Sequence, residues 1–226
     1  MFQDFGTVVL DATRPVLGAL WPFIALIVLF PLFLSTWKFW RQMRFEHHIK
    51  WVLLEIHIPR IIEKSPRAME QVLAAIYTLR NAPGQFAEHY WHGEVTRWYT
   101  FEMVSFGGQV HLYARVYRKQ RGLVEAAFFS YYPDLEITEV DEDYVDKLPK
   151  NYRELTETGY DVWGSEMILA KPEIYPIKTY THFESPDEDK QFDPISVFFE
   201  VLSKIKKEEI VGIQFQLAPA DDHWYK

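Results

Sequence analysis

The stretch VTRWYTFEMVSFGGQVHLYARV (residues 95–116) predicts a β-hairpin, and the other predicted elements are arranged around it. Its first half alternates between two kinds of side chain, as a strand with two different faces does. Gly107 and Gly108 form a two-residue turn signal, because glycine tolerates the positive φ angles of tight hairpin turns. Residues 109–116 alternate again and give the returning strand.

Elements of both types flank this hairpin. A strand is predicted at residues 51–58, followed by a helix with Pro66 at its first position. After the hairpin come a helix at about residues 119–131 and a strand at residues 135–140. The resulting order, β-α-β-β-α-β, is that of the ferredoxin-like arrangement. We therefore predict an α+β fold with a ferredoxin-like module over residues 51–145.

A second, smaller α+β module is predicted over residues 160–226. The polar and acidic stretch before it, residues 141–159, is typical of a linker. The ending does not resemble a natural domain end, so a truncated second module and a complete one both stay open. The predicted elements of this module are strands at residues 163–170 and 177–183, a helix at 195–205 and a strand at 210–217.

The N-terminal segment, residues 1–50, contains 22 consecutive residues without a charge, VLGALWPFIALIVLFPLFLSTW (residues 16–37). About 20 apolar residues are enough for a helix to cross the hydrocarbon core of a bilayer. A cleaved signal peptide is disfavoured, because no basic segment precedes the run and the run is too long. Aromatic and basic side chains near the ends of a span favour the interface. The predicted membrane-interface residues are Trp21, Trp37, Lys38, Trp40, Arg41 and Arg44.

The charges around this span predict its orientation. Four basic side chains and one acidic side chain lie between Trp37 and Trp51. The positive-inside rule therefore places the C-terminal region in the cytoplasm, with the span in the inner (cytoplasmic) membrane. Residues 51–226 carry 19 basic and 29 acidic side chains, a net charge of −10. This acidity argues against a protein that binds nucleic acid along its whole surface.

Several kinds of chemistry are excluded at the level of sequence. The chain has no cysteine, which excludes disulfides, thiolate metal sites and cysteine nucleophiles. It contains no phosphate-binding G-x-x-x-x-G-K-[ST] loop, no G-x-S-x-G elbow and no H-E-x-x-H motif. We therefore assign no catalytic, cofactor-binding or metal-binding residue and expect no enzymatic activity.

Two alternatives with chemistry stay open. His89 and His92 have an i, i+3 spacing beside two glutamates, and an acidic run follows at residues 136–146. Together they would suit a membrane-proximal metal-dependent enzyme, although a loop with surface histidines is the simpler interpretation. The short basic and aromatic stretch at residues 117–121 would suit a DNA-handling accessory protein.

Four strings carry a resemblance to a known family: WVLLEIHIPR-x-IEKSPRAMEQVLAAI (residues 51–76), EMVSFGGQVHLYAR (102–115), VEAAFFSYYPDLEITEVDEDYV (124–145) and DVWGSEMILAKPEIYPIKTY (161–180). The chain resembles an uncharacterised bacterial family of single-pass membrane proteins with a cytoplasmic α/β region. That family is loosely similar to the N-terminal, non-catalytic part of conjugative-transfer or HerA/FtsK-like secretion ATPases. The resemblance implies a separate motor ATPase as partner and transfers no catalytic residue.

Taken together, these features predict a membrane-anchored cytoplasmic scaffold or docking module of a secretion or DNA-transfer type envelope assembly. Its expected partners are the lipid bilayer, other protein subunits including a motor ATPase, and further copies of itself. Exposed sheet edges are one candidate contact surface, because an edge strand recruits another chain by β-augmentation. The candidate protein-interaction residues in the aromatic loop are Phe86, Tyr90 and Trp91.

Overall fold

The computed structural model of the chain describes residues 2–59, 67–81, 84–172, 175, 178–182 and 194–220, with backbone only for 2–17, 180 and 194. The chain divides into two compact units, which are described separately. The first comprises Met1–Ile49 with Ala82–Val95, and the second comprises Lys50–Asn81 with Thr96–Lys226.

The first unit contains one long helix, α1 (Phe2–His47), and a π-helical turn (Glu88–His92). Within α1, Gly18–His47 is long and apolar enough to cross a membrane, and none of its most apolar stretch is buried. A signal sequence satisfies the same criteria of length and composition. The predicted apolar helix is thus confirmed, and it extends beyond residues 16–37 at both ends.

The second unit is built on one five-stranded antiparallel sheet. Its strands run in the order β4-β1-β3-β2-β5. The predicted hairpin is confirmed, because β2 and β3 pair in register down to Phe106 opposite Gln109, and the turn glycines have φ angles of 58° and 94°. The strands are β1 (Trp51–His57), β2 (Tyr99–Phe106), β3 (Gln109–Tyr117), β4 (Glu136–Val140) and β5 (Ile210–Leu217).

Two helices, α2 (Arg67–Tyr77) and α3 (Arg121–Tyr131), cover one face of this sheet. The alternation of the strands decides which side chains meet them, because successive residues of a strand point to opposite faces. Burial of these apolar side chains is the main stabilising contribution to the unit. The buried cluster consists of Val52, Leu54, Val72, Ile76, Tyr99, Ala114, Val116, Val124, Ala127 and Phe128.

A third helix, α5 (Pro194–Ser203), is joined to β2 near the hairpin turn. The buried Ser105 hydroxyl donates to the backbone oxygen of Leu202 at 2.7 Å. The turn glycines then meet the segment that links α5 to β5. A Cβ atom on Gly108 would lie 2.8 Å from the oxygen of Ser203, and one on Gly107 would lie 2.7 Å from the oxygen of Lys207.

The opposite face of the sheet is covered by a short 3-10 helix, Tyr144–Lys147. Leu53, Val104 and Tyr113 form a second buried cluster there, and the ring of Tyr144 packs against it. A further helix, α4 (Tyr152–Thr158), follows in the chain. The stretch predicted as a linker therefore contains two helical elements, one of which contributes to the core.

The α+β class is confirmed, whereas the ferredoxin-like arrangement is not, because the sheet has five strands and a different order from the four predicted. The fifth strand is β5, which the sequence assigned to a second module but which pairs with β2. The predicted strand at residues 163–170 is wrong, since these residues have no regular structure. Gly164, Ser165 and Glu166 interrupt its apolar pattern, so it lacks the alternation of a half-buried strand.

Two sequence predictions fall partly outside the described residues. Of the predicted strand at residues 177–183, the two end residues lie outside them, and Tyr180–His182 form a 3-10 turn. Pro66, the predicted first residue of the helix, also lies outside the described residues. The helix predicted at residues 195–205 is observed as α5, displaced by one or two residues.

The turn glycines give a test of the docking between the hairpin and the α5–β5 segment. We expect Gly108→Ala to lower the free energy of unfolding by about 1–3 kcal/mol, because alanine disfavours positive φ and its Cβ meets Ser203. Gly122→Ala is the control, since its added Cβ has no atom within 4 Å and alanine suits a helix. Urea unfolding of the full-length protein in detergent, followed by circular dichroism, compares the two. Equal stabilities would contradict the docking.

Candidate functional site

The π-helical turn of the first unit is fixed at both of its ends. The Glu88 carboxylate accepts hydrogen bonds from the backbone nitrogens of Gly84 at 2.8 Å and Gln85 at 3.0 Å. The bonds from Gln85 and Gly84 lower the pKa of Glu88. At the other end, Gly93 adopts a left-handed φ of 68°, and the Glu94 nitrogen donates to the Glu88 oxygen at 2.9 Å. The sequence between these ends is therefore held in one compact shape.

This turn lies directly against the C-terminal part of α1. A Cβ atom on Gly93 would lie 2.4 Å from the backbone carbon and oxygen of Arg41, so only glycine permits this approach. The indole Nε1 of Trp37 donates to the backbone oxygen of Tyr90 at 2.7 Å. The bond and the close approach together fix the height of the turn along the helix.

Aromatic rings surround this hydrogen bond. The ring of Trp37 lies 5.4 Å from that of Trp40 and 6.4 Å from that of Trp91, measured between centroids. The rings of Phe86 and Tyr90 stack at 4.4 Å. Such contacts add about 0.5–1.5 kcal/mol per pair beyond the burial of area.

Basic side chains of α1 lie over the same rings. The Lys38 ammonium is 5.9 Å from the centroid of Tyr90, and the guanidinium groups of Arg41 and Arg44 are 5.9 and 5.7 Å from Trp40. Cations at these distances are attracted by the ring electrons. We name this group the aromatic–basic cluster, and its members are Trp37, Lys38, Trp40, Arg41, Arg44, Phe86, Tyr90 and Trp91.

The aromatic–basic cluster joins two sets of residues that the sequence analysis kept apart. Five of its members were predicted as membrane-interface residues, and three were predicted as protein-interaction residues. The remaining predicted residue, Trp21, is exposed on α1 but lies sixteen residues before Trp37, about 24 Å along the helix. It therefore marks the other end of the apolar stretch.

The histidines of the turn were the basis of the metal-dependent alternative. Among the described residues, no group of three or more histidine, aspartate or glutamate side chains is arranged to hold a metal ion. Glu88 is occupied by the two backbone nitrogens, and Nδ1 of His89 is buried without a hydrogen-bond partner among those residues. The described part of the chain thus offers no preassembled ligand set to His89 and His92.

In the second unit, a network of charged and polar groups occupies the sheet face opposite α2 and α3. The Glu102 side chain on β2 is fully buried. Its carboxylate accepts from Arg115 Nε at 2.9 Å and from the Tyr144 hydroxyl at 2.6 Å. Arg115 also binds the Asp143 carboxylate through both terminal nitrogens. Gln214 on β5 donates to the Tyr144 hydroxyl oxygen at 3.1 Å.

The protonation states in this network follow from burial and pairing. Burial and the hydrogen bond to Glu102 raise the pKa of Tyr144, so the phenol keeps its proton at neutral pH. Burial alone would raise the pKa of Asp143, but hydrogen bonds from Arg115 and the Val145 nitrogen outweigh it and lower that pKa. Burial, with Glu55 and Glu102, raises the pKa of Tyr113 to about 12.

This network is suited to holding elements together. Glu102, Arg115 and Tyr144 are all engaged with one another or with neighbours, and the raised pKa keeps the Tyr144 phenol protonated at neutral pH, so it does not serve as a general base there. The sequence does not reveal this network, because Asp143 and Tyr144 lie in an acidic stretch that is typical of a solvated linker. The available signal was a Glu and an Arg on the alternating strands of one hairpin.

A histidine pair with a carboxylate lies on the same face. His111 Nδ1 is 2.6 Å from the Glu55 carboxylate, and its ring stacks on Tyr113 at 5.9 Å. His57 Nε2 lies 3.9 Å from the other oxygen of Glu55. The three groups form a cross-strand contact between β1 and β3, which are neighbours in the sheet.

Residues 160–169 of the second unit form a segment without helix or strand that exposes apolar side chains. Trp163 is 88% exposed and Ile168 is 84% exposed. The edge strand β5 and the outer face of α5 add further exposed apolar side chains. Large exposed patches of this kind mark sites of interaction, because leaving them in water is unfavourable.

No family model, no curated protein sequence and no solved structure matches the chain. The resemblance to a bacterial membrane-protein family therefore stays an expectation carried by the four quoted strings.

The close approach at Gly93 gives a test of the aromatic–basic cluster. We expect Gly93→Ala to push the turn away from α1, because the added Cβ collides with the backbone of Arg41. Hydrogen-exchange mass spectrometry of the full-length protein in detergent is then expected to show faster exchange in residues 84–95. The matched control is Gly159→Ala, which carries a similar φ of 74° but has open space around its Cβ. Unchanged exchange in Gly93→Ala would contradict the contact.

The ion pair at Asp143 predicts a loss of stability in acid. Because the folded pKa is lowered, the stabilisation is complete above the ordinary value of 3.8 and is lost as pH falls through the folded value. We expect Asp143→Asn to lower the free energy of unfolding at pH 7 by about 1.5–3 kcal/mol and to flatten its acid dependence. Urea unfolding at a series of pH values measures both effects. The exposed neighbour Asp146→Asn is the control, and an equally steep acid dependence in Asp143→Asn would refute the assignment.

Proposed function

We propose that the chain is a membrane-anchored cytoplasmic scaffold or docking subunit that holds other proteins at the inner face of the membrane. The observation that carries the proposal is the exposed apolar segment at residues 160–169. Its apolar side chains are exposed, and tryptophan and methionine are enriched at the centres of protein interfaces. A partner subunit that covers these side chains removes their apolar surface from water, and this burial stabilises the complex.

The proposed anchor is the apolar helix Gly18–His47. Its apolar side chains are exposed all round the helix, as suits lipid rather than water. The excess of basic side chains after the span supports a cytoplasmic C-terminal region, and hence the inner membrane. A cleaved signal sequence would instead leave the aromatic–basic cluster on a short helical remnant.

The proposed setting is an envelope assembly of the secretion or DNA-transfer type, with a separate motor ATPase. This step rests on the resemblance of the four strings, together with a single anchor followed by an exposed docking surface. The chain has no phosphate-binding loop of its own. In such an assembly the chain supplies attachment and position, and the motor supplies the hydrolysis.

For the second unit we propose a ferredoxin-like core extended by one strand. The support is the β-α-β-β-α-β order of β1 to β4 with α2 and α3 on one face. In this view β5 is an addition at the β2 edge and α5 an addition beside it. The addition pairs the β2 edge and leaves β5, with exposed Phe215 and Leu217, as the edge strand of the sheet.

Site-specific photocrosslinking in native membranes tests the docking proposal. A photoreactive amino acid at Trp163 or Ile168 is expected to give a defined adduct with a second subunit, identified by mass spectrometry and confirmed from the partner's side. The matched control is Tyr152, which is also exposed but lies on the charged helix α4. Adducts with the chain itself would indicate a homo-oligomer.

The contrary result is equally defined. If positions 163 and 168 give no more adduct than position 152, the segment does not dock a subunit, and the scaffold proposal loses the observation that carries it.

A further inference from the structure

We propose that the π-helical turn and the residues just before it form a second membrane-contact element, in which the side chains of Phe86 and Trp91 enter the headgroup region beside the end of α1. This inference rests on the proposed function, since it requires α1 to span the bilayer. It assigns to a lipid surface the residues that the sequence analysis assigned to a protein partner.

The turn lies at the level where the apolar stretch of α1 ends. The uncharged stretch of 22 residues that ends at Trp37 is about 33 Å long as a helix, close to the ~30 Å hydrocarbon core. Trp37 therefore lies where the helix leaves the hydrocarbon. Because Trp37 Nε1 is bonded to the Tyr90 backbone oxygen, the turn lies at the same level.

Exposed aromatic side chains at this level favour a membrane interface. Phe86, two residues before the turn, is 69% exposed, and Trp91 within the turn is 67% exposed, although hydrogen bonds fix the backbone here. Aromatic rings, and tryptophan above all, favour the boundary between hydrocarbon and water. With Trp37 and Trp40 they extend the aromatic surface of α1 sideways at this level.

The positive charge at this level favours contact with anionic lipids. Lys38, Arg41 and Arg44 belong to the same cluster and bring three positive charges to it. The carboxylate of the turn, Glu88, is directed at backbone nitrogens of the turn itself. Basic groups beside a span attract anionic lipids. Aromatic side chains and positive charge at one level match an anionic membrane surface better than they match a water-facing protein surface.

Tight association with the helix supports this choice of occupant. Gly93 lets the turn approach the backbone of Arg41 more closely than any other residue would permit. The turn is held this close to the helix at the level where the helix leaves the hydrocarbon. It therefore lies among the lipid headgroups. Lipid contact is thus continuous with the surface that α1 already presents.

Spin-label accessibility in vesicles tests the inference. The chain has no native cysteine, so each single-cysteine variant of the full-length protein carries one nitroxide. The protein is reconstituted at low density in vesicles of phosphatidylcholine and phosphatidylglycerol. Collision rates with oxygen, which prefers lipid, are compared with those of a water-soluble nickel chelate. The labelled variants are Phe86→Cys, Trp91→Cys, Ile27→Cys in the span and Tyr152→Cys on α4.

We expect positions 86 and 91 to favour oxygen over the chelate, between the values at positions 27 and 152. In a Gly93→Ala background, position 86 is expected to shift toward the chelate, and in Gly159→Ala it is expected to stay unchanged. No partner protein is present in these vesicles, so protection of positions 86 and 91 from the chelate reports lipid.

Two failures are distinguishable. If position 27 is as accessible to the chelate as position 152, α1 does not span, and the anchor fails together with this inference. If position 27 lies in lipid while positions 86 and 91 match position 152, the inference alone is wrong. In that case the turn faces water and returns to being a candidate protein-docking surface.

Discussion

A single buried carboxylate constrains the second unit. Glu102 lies on β2 with no exposure of its side chain, and an unpaired charge there would cost several kcal/mol. Arg115 on the neighbouring strand and the Tyr144 hydroxyl satisfy it. Since Arg115 also binds Asp143, the segment after β4 must cross the sheet face. Gln214 extends the same network to β5, so three separate parts of the chain meet around one charge.

The range over which each interaction acts explains what the sequence could reveal. Alternation and the Gly107–Gly108 pair are local signals, and they predicted the hairpin and the strand bounds within a few residues. The pairing of β5 with β2 joins residues about a hundred positions apart, which no local pattern encodes. The charged network around Glu102 could not be predicted for the same reason, because the tertiary fold determines the partners of Asp143. Residues 163–170 show the converse error, since apolar composition without alternation or a neighbouring edge does not make a strand.

The aromatic–basic cluster could also be predicted only in part from the sequence. Its helix members followed from the position of the apolar stretch, and its turn members stood out by their aromatic content. Their junction was beyond sequence reasoning, because 53 residues separate Trp37 from Tyr90. The nearest sequence signal was Gly93, a glycine that ends an aromatic run. Its meaning depends on the Arg41 backbone that it approaches, which only the structure supplies.

The two proposed contact surfaces differ in charge. The aromatic–basic cluster carries positive charge, whereas residues 96–226, with 15 basic and 24 acidic side chains, have a net charge of −9. An anionic membrane attracts the first and repels the second, and the repulsion acts over about a Debye length of 8–10 Å. The apolar side chains of Trp163 and Ile168 are attached to the repelled part. Their exposure is therefore better matched to a protein partner than to lipid, and the two contacts proposed for this chain select different occupants on electrostatic grounds.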